Sequence, residues 1–239
     1  MPIREITDPF RLEDIVPYFQ PIVDLQHDRV WRYECLARLV TPSEKIYLPS
    51  EFLYLIERHN HVQQLTETMF LQSARYFKDK QICWNINVDL SDLKNPALIN
   101  FLRAQLNDNC DPNEVCIEVS AKTAMQNLTL LAEVVKQVQA LGMGVFVDNV
   151  GRVPGNIKSL LAMPLRGIKL DGGLIRQYDS NPAVQEYVDY VCEQAAEHKT
   201  RVIAEQVEDA TTLEIVERLP IQYAQGFVFS RPKPTLDAI

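Results

Sequence analysis

The sequence predicts an α/β fold, a TIM-like (β/α)8 barrel modified by a first strand that runs antiparallel to the others. The 239 residues, 46% of them hydrophobic, suffice for one large core, and barrels of this class run near that length as a single domain. From residue 82 onward, strand-like runs alternate with helix-like segments, which is typical of a parallel sheet. Before residue 82, two strand-like runs flank a polar turn, which predicts an antiparallel hairpin.

The first third of the chain is predicted to hold a lead-in, this hairpin and two helices. Residues 1–15 form the expected N-terminal lead-in, and residues 16–239 the expected barrel domain. The hairpin strands are expected at residues 18–23 and 30–39. Pro49, which suits the first turn of a helix, opens one helix, and a second follows to about residue 77.

The rest of the chain is predicted to alternate between strands and helices. The expected strands are at residues 82–88, 115–119, 144–147, 167–170, 201–204 and 224–229. The expected helices are at residues 96–106, 128–141, 157–162, 182–198 and 209–219. Gly142 is typical of a residue just past a helix end. The number of strands favours a closed barrel over an open sheet.

Composition argues against several classes of function. A net charge of −8, with no Lys/Arg run of five residues, disfavours a nucleic-acid polymer as partner. No segment approaches the roughly 20 apolar residues of a membrane span. The five cysteines, odd in number and without a CxxC pair, fit a reducing, cytoplasmic location. His59 and His61 are two residues apart and would face different directions on a helix, so a zinc site is not expected.

Polar side chains follow the predicted strands at their carboxyl ends, where barrels of this type carry their chemistry. They are Glu34, Asn87, Glu118, Asp148, Asn149 and Glu205, and Lys169 ends another strand. Oxygen donors without cysteine or histidine favour Mg²⁺ or Mn²⁺, ions that serve phosphoryl chemistry, often as a pair. Glu118 is the strongest single candidate, because a charge among apolar residues needs a partner or a metal. The pattern predicts one divalent-cation site in one cleft.

Each of these residues also has a structural interpretation. An acid at a strand end is commonly a helix N-cap or a solvated loop residue. Asn85 and Asn87 face the same side of a strand, and one of them could simply satisfy backbone groups. Lys169 could pair with Asp171, which lies on the same face. Gln225-Gly226 could be an ordinary turn.

Taken together, these segments resemble the EAL domain, the cyclic di-GMP phosphodiesterase family of bacterial signalling, over residues 18–234. The matching segments are YFQPIVDL at residues 18–25, ECLAR at 34–38, NVD at 87–89, EVSA at 118–121, DNVG at 148–151, KLD at 169–171, AEQVE at 204–208 and QGF at 225–227. The step from Asp148 to Lys169 and the step from Glu205 to Gln225 equal the family's intervals. Any one segment is weak support, whereas the set is specific.

The resemblance implies a barrel with an antiparallel first strand and a metal centre at its mouth. The first Mg²⁺ or Mn²⁺ ion would be held by Glu34, Asn87, Glu118 and Asp148. A second ion would lie beside Asn149. Residues 154–182 lie where the family commonly dimerises, so a homodimer is possible.

The resemblance also implies the reaction and the residues that perform it. Lys169 and Glu205 would position or deprotonate the attacking water, and Gln225 would assist beside the second ion. Gln20 and Arg38 would contact cyclic di-GMP, and a guanidinium suits this role because it matches phosphate oxygens in a fork. One 3′–5′ phosphodiester bond would be hydrolysed, giving linear pGpG.

The departures from the family pattern lie near the predicted second ion. Asn149 replaces the second Asp of the family's DDFG motif, and a carboxamide is a poorer ligand for a hard cation. Val150 replaces Phe, Arg152 and Val153 replace Thr and Gly, and Ala121 replaces the second Glu of EITE. Arg152 could compensate charge near phosphate. Losing one well-placed electrostatic stabiliser typically costs about 3–4 kcal/mol.

Three functions are therefore compatible with the sequence. The first is a phosphodiesterase that is slowed by its weak second ion. The second is a catalytically degenerate receptor that binds cyclic di-GMP and signals through a protein partner. The third is a protein-interaction domain that has lost the ligand, which the retention of Arg38 and of the first-ion residues argues against.

Overall fold

The strands of the chain close into a barrel surrounded by helices, as the sequence predicts. The computed structural model describes Ile6 and residues 9–236. In that part of the chain the strands are β1 (Ile15–Asp24), β2 (Arg29–Val40), β3 (Ile46–Tyr47), β4 (Trp84–Asn87), β5 (Val115–Ser120), β6 (Gly144–Val150), β7 (Gly167–Leu170), β8 (Arg201–Ala204) and β9 (Tyr223–Ala224). The sheet runs β1-β9-β8-β7-β6-β5-β4-β2-β3, and β1 also pairs with β2. Eight strands thus form a ring, with β3 outside it.

Strand β1 is antiparallel to both of its neighbours in the ring, β2 and β9. The other ring pairs, from β2 and β4 round to β8 and β9, are parallel. The prediction of an antiparallel first strand is therefore confirmed. The register sets Gln20 opposite Glu34, so these two side chains face the same side of the sheet.

The helices largely follow the predicted segments. They are α1 (Pro49–Arg58), α2 (Val62–Phe77), α3 (Leu90–Leu93), α4 (Pro96–Asn109), α5 (Ala121–Gln126), α6 (Leu128–Ala140), α7 (Ile157–Leu161), α8 (Gly172–Gln177), α9 (Pro182–Glu197) and α10 (Ala210–Arg218). Asn95, Asn181 and Asp209 cap α4, α9 and α10 with side-chain oxygens. The short helices α3, α5 and α8 were not predicted, because four to six residues are too few to show a helical period.

The start of the chain contributes one short element before the barrel. A 3₁₀ helix at Leu12–Asp14 leads directly into β1. Residues 1–5, 7 and 8 of the predicted lead-in, and residues 237–239 of the predicted domain, lie outside the described residues. The domain boundary after residue 15 stays a prediction.

The last predicted strand, residues 224–229, is wrong beyond its first residue. Strand β9 ends at Ala224, and the amides of Phe229 and Ser230 both donate to the carbonyl of Gly226. The chain therefore turns immediately after Gln225. Gly226 permits this because its backbone packs directly against Val207, where an added Cβ would lie 2.0 Å from a carbonyl oxygen.

The apolar core has two parts. The larger part fills the space around the strands and helices, with Phe52, Phe70 and Trp84 among its fully buried side chains. The smaller part is a plug of strand side chains. It consists of Ile22, Cys116, Phe146 and Ile203, with Trp31 and Tyr223 packed against it. Among the described residues, no helix has the length and apolar character of a membrane span.

We expect Gly226→Ala to lower the free energy of unfolding by about 1–3 kcal/mol, the usual cost of overpacking. Urea denaturation followed by circular dichroism measures this. Gly173→Ala is the control, because its Cβ would meet no backbone atom and only the Asp171 side chain, which caps α8. Equal losses from the two substitutions would contradict the close-approach role of Gly226.

Candidate active site

One layer of inward-facing polar side chains forms the candidate site. Side chains alternate along a strand, so residues two apart face the same side. The plug residues Cys116, Phe146 and Ile203 are each followed, two positions later, by an acid. The complete layer is Gln20, Glu34, Asn87, Glu118, Asp148, Lys169, Glu205 and Gln225. Each lies on a different strand of the ring or directly after it, so the barrel closes the layer into a circle above the plug.

Lys169 lies at the centre of this layer with no exposed surface. Its Nζ donates to Glu34 Oε2 at 2.8 Å and to Glu118 Oε2 at 2.7 Å. The same nitrogen lies 3.5 Å from Glu205 Oε1 and 3.8 Å from Asp148 Oδ1. One ammonium thus contacts four carboxylates, each from a different strand or from the residue directly after it.

Carboxamide side chains orient Glu34 and Glu118, the two most deeply buried acids of the layer. Asn87 Nδ2 and Gln225 Nε2 both donate to Glu34, each at 2.8 Å, and they bind different oxygens of it. Asn85 Nδ2 donates to Glu118 Oε1 at 2.5 Å. Both asparagines of this strand therefore serve carboxylates rather than the backbone. These bonds fix the directions in which the oxygens face the centre.

The layer carries more negative charge than Lys169 neutralises. Burial raises the pKa of Glu118 to about 8, and the charge of Glu34 adds to this effect. Burial and the neighbouring Asp148 raise the pKa of Glu205. Burial would lower the pKa of Lys169, but the surrounding carboxylates outweigh it and raise that pKa. Burial would also raise the pKa of Glu34, but Lys169 outweighs it and lowers that pKa. Lys169 is therefore charged, and four acidic side chains are crowded around its one positive charge.

A backbone irregularity turns two consecutive side chains toward the cleft. Asn149 has a φ of +58°, in the left-handed region that asparagine tolerates better than most residues. The pairing of β6 with β7 shifts register between Val147 and Val150, as a β-bulge does. Asn149 Nδ2 donates to Asp148 Oδ2, and the Asn149 amide lies 3.3 Å from Glu205 Oε2.

Two cavities flank the layer and open a cleft above it. A cavity of about 280 Å³ is lined by Gln20, Arg38 and Gln225, together with Glu208 and Phe227. A second, more apolar cavity of about 460 Å³ lies on the side of α1 and α2 and shares Glu34 with the first. The cleft can thus hold a ligand that extends to both sides of the acids.

Arg38 is partly buried at the wall of the smaller cavity. One guanidinium nitrogen, Nη1, donates to the Ala37 carbonyl at 2.8 Å, and the group lies 5.8 Å from the ring centre of Tyr18. These contacts hold the guanidinium in place. Its other nitrogens can bind an anion that enters this cavity.

The structure brings all ten sequence-predicted site residues to this one cleft. The alternative interpretation, in which Lys169 pairs with Asp171, is wrong: Lys169 pairs with Glu34 and Glu118, and Asp171 caps α8 by accepting from the Gly173 amide. Two residues with direct roles in the cleft lacked a predicted role. Asn85 holds Glu118, and Phe227, stacked 4.1 Å from the Arg231 guanidinium, forms the cavity lip.

The donor set fits a hard divalent cation, although the lysine now holds the acids. Asp148 Oδ1 is buried without a hydrogen-bond partner. Apart from the Lys169 ammonium 3.8 Å away, the layer consists of carboxylates and carboxamides, whose oxygens are the ligands that hard cations prefer. As the described side chains stand, no group of three or more His, Cys, Asp or Glu residues is arranged to hold a metal ion. A cation that binds here therefore competes with Lys169 for oxygens of Glu34 and Glu118.

Comparison with known proteins assigns the chain to one family. The sequence model described as "EAL domain" matches residues 3–232. The bifunctional diguanylate cyclase/cyclic di-GMP phosphodiesterase MucR of Pseudomonas aeruginosa is 26% identical over 241 residues, covering 97% of this chain and 35% of that protein. The chain thus spans about a third of the length of the curated relatives it matches.

Solved structures agree with this assignment. The MucR phosphodiesterase in complex with c-di-GMP superposes with a TM-score of 0.81 at 25% identity, covering 93% of each chain. The FimX EAL domain of Pseudomonas aeruginosa bound to c-di-GMP superposes with a TM-score of 0.86 at 21% identity, covering 95% of this chain and 94% of that one. The second likeness supports the fold alone.

We expect Mg²⁺ or Mn²⁺ to stabilise the EDTA-treated protein, because the cation relieves the excess negative charge of the layer. At a hundredfold excess over Kd, an ion that binds only the folded state raises the thermal midpoint by about 5–10 °C. Glu34→Gln, which removes a donor of the layer, should reduce this shift. A shift of equal size in both proteins would place the ion elsewhere.

Proposed function

The chain belongs to the EAL domain family, and we propose on that basis that it is a cyclic di-GMP phosphodiesterase that produces linear pGpG slowly. The convergence of Glu34, Glu118, Asp148 and Glu205 on one end of the barrel, around Lys169, carries this proposal. These acids come from four separate strands, more than one structural salt bridge needs. Oxygen donors gathered in this way suit a divalent cation that binds a phosphodiester.

Ligand binding is assigned to the walls of the cleft. Arg38 pairs with a phosphate oxygen, because its guanidinium is already held at the cavity wall. Gln20, fixed through its Nε2 to the Ser230 carbonyl at 3.2 Å, lines the same cavity. The cavities on either side of the acids give room for the two halves of a cyclic dinucleotide.

The chemical step is assigned to the buried layer. Glu34, Asn87, Glu118 and Asp148 would hold the first divalent ion, Mg²⁺ or Mn²⁺, which when bound supplies positive charge to the phosphate. Glu205 accepts a proton from the attacking water at a carboxylate oxygen, and Lys169 orients that water beside it. The water oxygen bonds to phosphorus, the P–O3′ bond breaks, and the released 3′ oxygen takes up a proton from solvent, while Glu205 later returns its proton to solvent. Gln225, which donates to Glu34, would assist beside the second ion.

A receptor without turnover is the second candidate, and one contact favours it. The Asn149 carboxamide donates to Asp148 Oδ2. It thereby occupies an oxygen that a second ion would need. If this contact persists with ligand bound, cyclic di-GMP would bind and remain intact, and signalling would need a protein partner.

The proposal also covers the cellular location and the oligomeric state of the protein. All five cysteines lie within the described residues and are free, which is compatible with a reducing cytoplasm. A homodimer through the surface at residues 154–182 stays a prediction. Analytical ultracentrifugation with and without cyclic di-GMP measures it.

We expect purified protein to convert cyclic di-GMP to pGpG with Mn²⁺, at a rate roughly 10²–10³ below that of an intact relative, because one electrostatic stabiliser is weakened. Chromatography of the nucleotides measures the product. Glu205→Gln is the control and should abolish turnover. No product over hours, while the relative turns over, would overturn the enzyme proposal. Calorimetry then tests the receptor, which a Kd weaker than about 1 mM would remove.

We expect Asn149→Asp to raise the hydrolysis rate at least about tenfold, because a carboxylate is the better ligand for a hard cation. Aspartate also tolerates the left-handed backbone at this position. Asn100→Asp, the same chemical change on the exposed face of α4, is the control and should change nothing. An unchanged rate in Asn149→Asp would contradict the weak second ion as the cause of slow turnover.

A further inference from the structure

The carboxamide of Asn149 is held at both of its ends. Its Nδ2 donates to Asp148 Oδ2, and its Oδ1 faces Arg152 Nη1 at 3.4 Å. That distance is long for a hydrogen bond, so the attraction is mainly between the charge and the carbonyl dipole. The carbonyl oxygen is the only atom of this side chain that could bind a cation, and it points to the guanidinium.

The charge of Arg152 is not neutralised by a nearby acid. Its side chain is exposed, and among the described residues no carboxylate lies within ion-pair distance of it. Gly151, with a φ of +93°, sharply turns the chain between Asn149 and Arg152 and brings the guanidinium back over the strand end. A second divalent ion beside Asp148 would therefore meet an uncompensated positive charge and a carboxamide turned away from it.

We propose that Arg152 is a positioning residue that, through Asn149, keeps this cleft a one-cation site. The inference rests on the proposed function, because ion number matters most if the cleft acts on a phosphodiester. It also predicts that Asp at position 149 recovers the second ion only in part. The new carboxylate would pair with Arg152, so the guanidinium and the ion would compete for it.

Counting ions tests this without relying on turnover. Wild type, Asn149→Asp, Asn149→Asp/Arg152→Gln and Asn149→Asp/Arg152→Lys are titrated with Mn²⁺, and free Mn²⁺ is followed by electron paramagnetic resonance. Arg152→Gln keeps a long polar side chain and removes the charge, whereas Arg152→Lys keeps the charge. Glu34→Gln in the wild-type background identifies weak surface sites that do not belong to the cleft.

We expect one ion in the wild-type cleft and a weak second ion in Asn149→Asp. The second ion should bind at least about tenfold more tightly in the Asn149→Asp/Arg152→Gln protein, a difference typical of a removed charge–charge repulsion. The lysine variant should behave like Asn149→Asp alone. Three results would each overturn the proposal: two equal ions in the wild type, a second-ion affinity in Asn149→Asp that Arg152→Gln leaves unchanged, or no second ion in any variant.

The two proposals fail separately. If ion counts follow the expected order while the wild type yields no pGpG, the hydrolase proposal fails and the role of Arg152 stands. If pGpG forms while the ion counts are the same in all variants, the role of Arg152 fails and the hydrolase proposal stands.

Discussion

The buried ammonium of Lys169 is the interaction on which the site depends. It lies within 4 Å of carboxylates carried by four different strands and has no contact with solvent. Removing one partner from a buried ion pair commonly costs several kcal/mol, because a charge is left without compensation. Glu34 and Glu118 are therefore held as much by the lysine as by the strands that carry them. Any cation that enters the cleft must exchange contacts with this group, which makes Lys169 part of the binding equilibrium as well as of the chemistry.

Barrel closure is what converts eight scattered polar residues into one layer. A parallel sheet alone would align the carboxyl ends of its strands along an edge. Strand β1, antiparallel to both neighbours, closes that edge and sets Gln20 beside Glu34 on one side and near Gln225 on the other. The apolar plug of Ile22, Cys116, Phe146 and Ile203 lies one layer away and separates the charges from the opposite end of the barrel. Because side chains alternate along each strand, the same pattern sets both the apolar plug and the polar layer above it.

The sequence predicted the fold from the alternation of strands and helices, and it predicted six of the eight layer residues from their positions near strand ends. The other two, Gln20 and Gln225, were predicted only through the resemblance to the EAL domain. An acid two positions after an apolar strand residue, such as Glu118 after Cys116, can be recognised in the sequence. The direction in which each side chain points could not be predicted from the sequence. That Asn149 donates to Asp148, and that Arg152 faces its other end, depends on a left-handed residue and a bulge. The last strand was predicted to be too long, because Phe227 and Phe229 are residues that favour strands. In the structure the backbone of Gly226 approaches Val207 closely, and the chain turns there.

The central claim is that oxygen donors on separate strands hold a magnesium-like ion against a cyclic dinucleotide. Anomalous diffraction from a crystal grown with Mn²⁺ and cyclic di-GMP tests it most directly. The account predicts an anomalous peak coordinated by Glu34, Asn87, Glu118 and Asp148, with a phosphate of the dinucleotide beside it and Arg38 on that phosphate. A dinucleotide bound with no peak among these four residues, or a peak only outside the cleft, would contradict it.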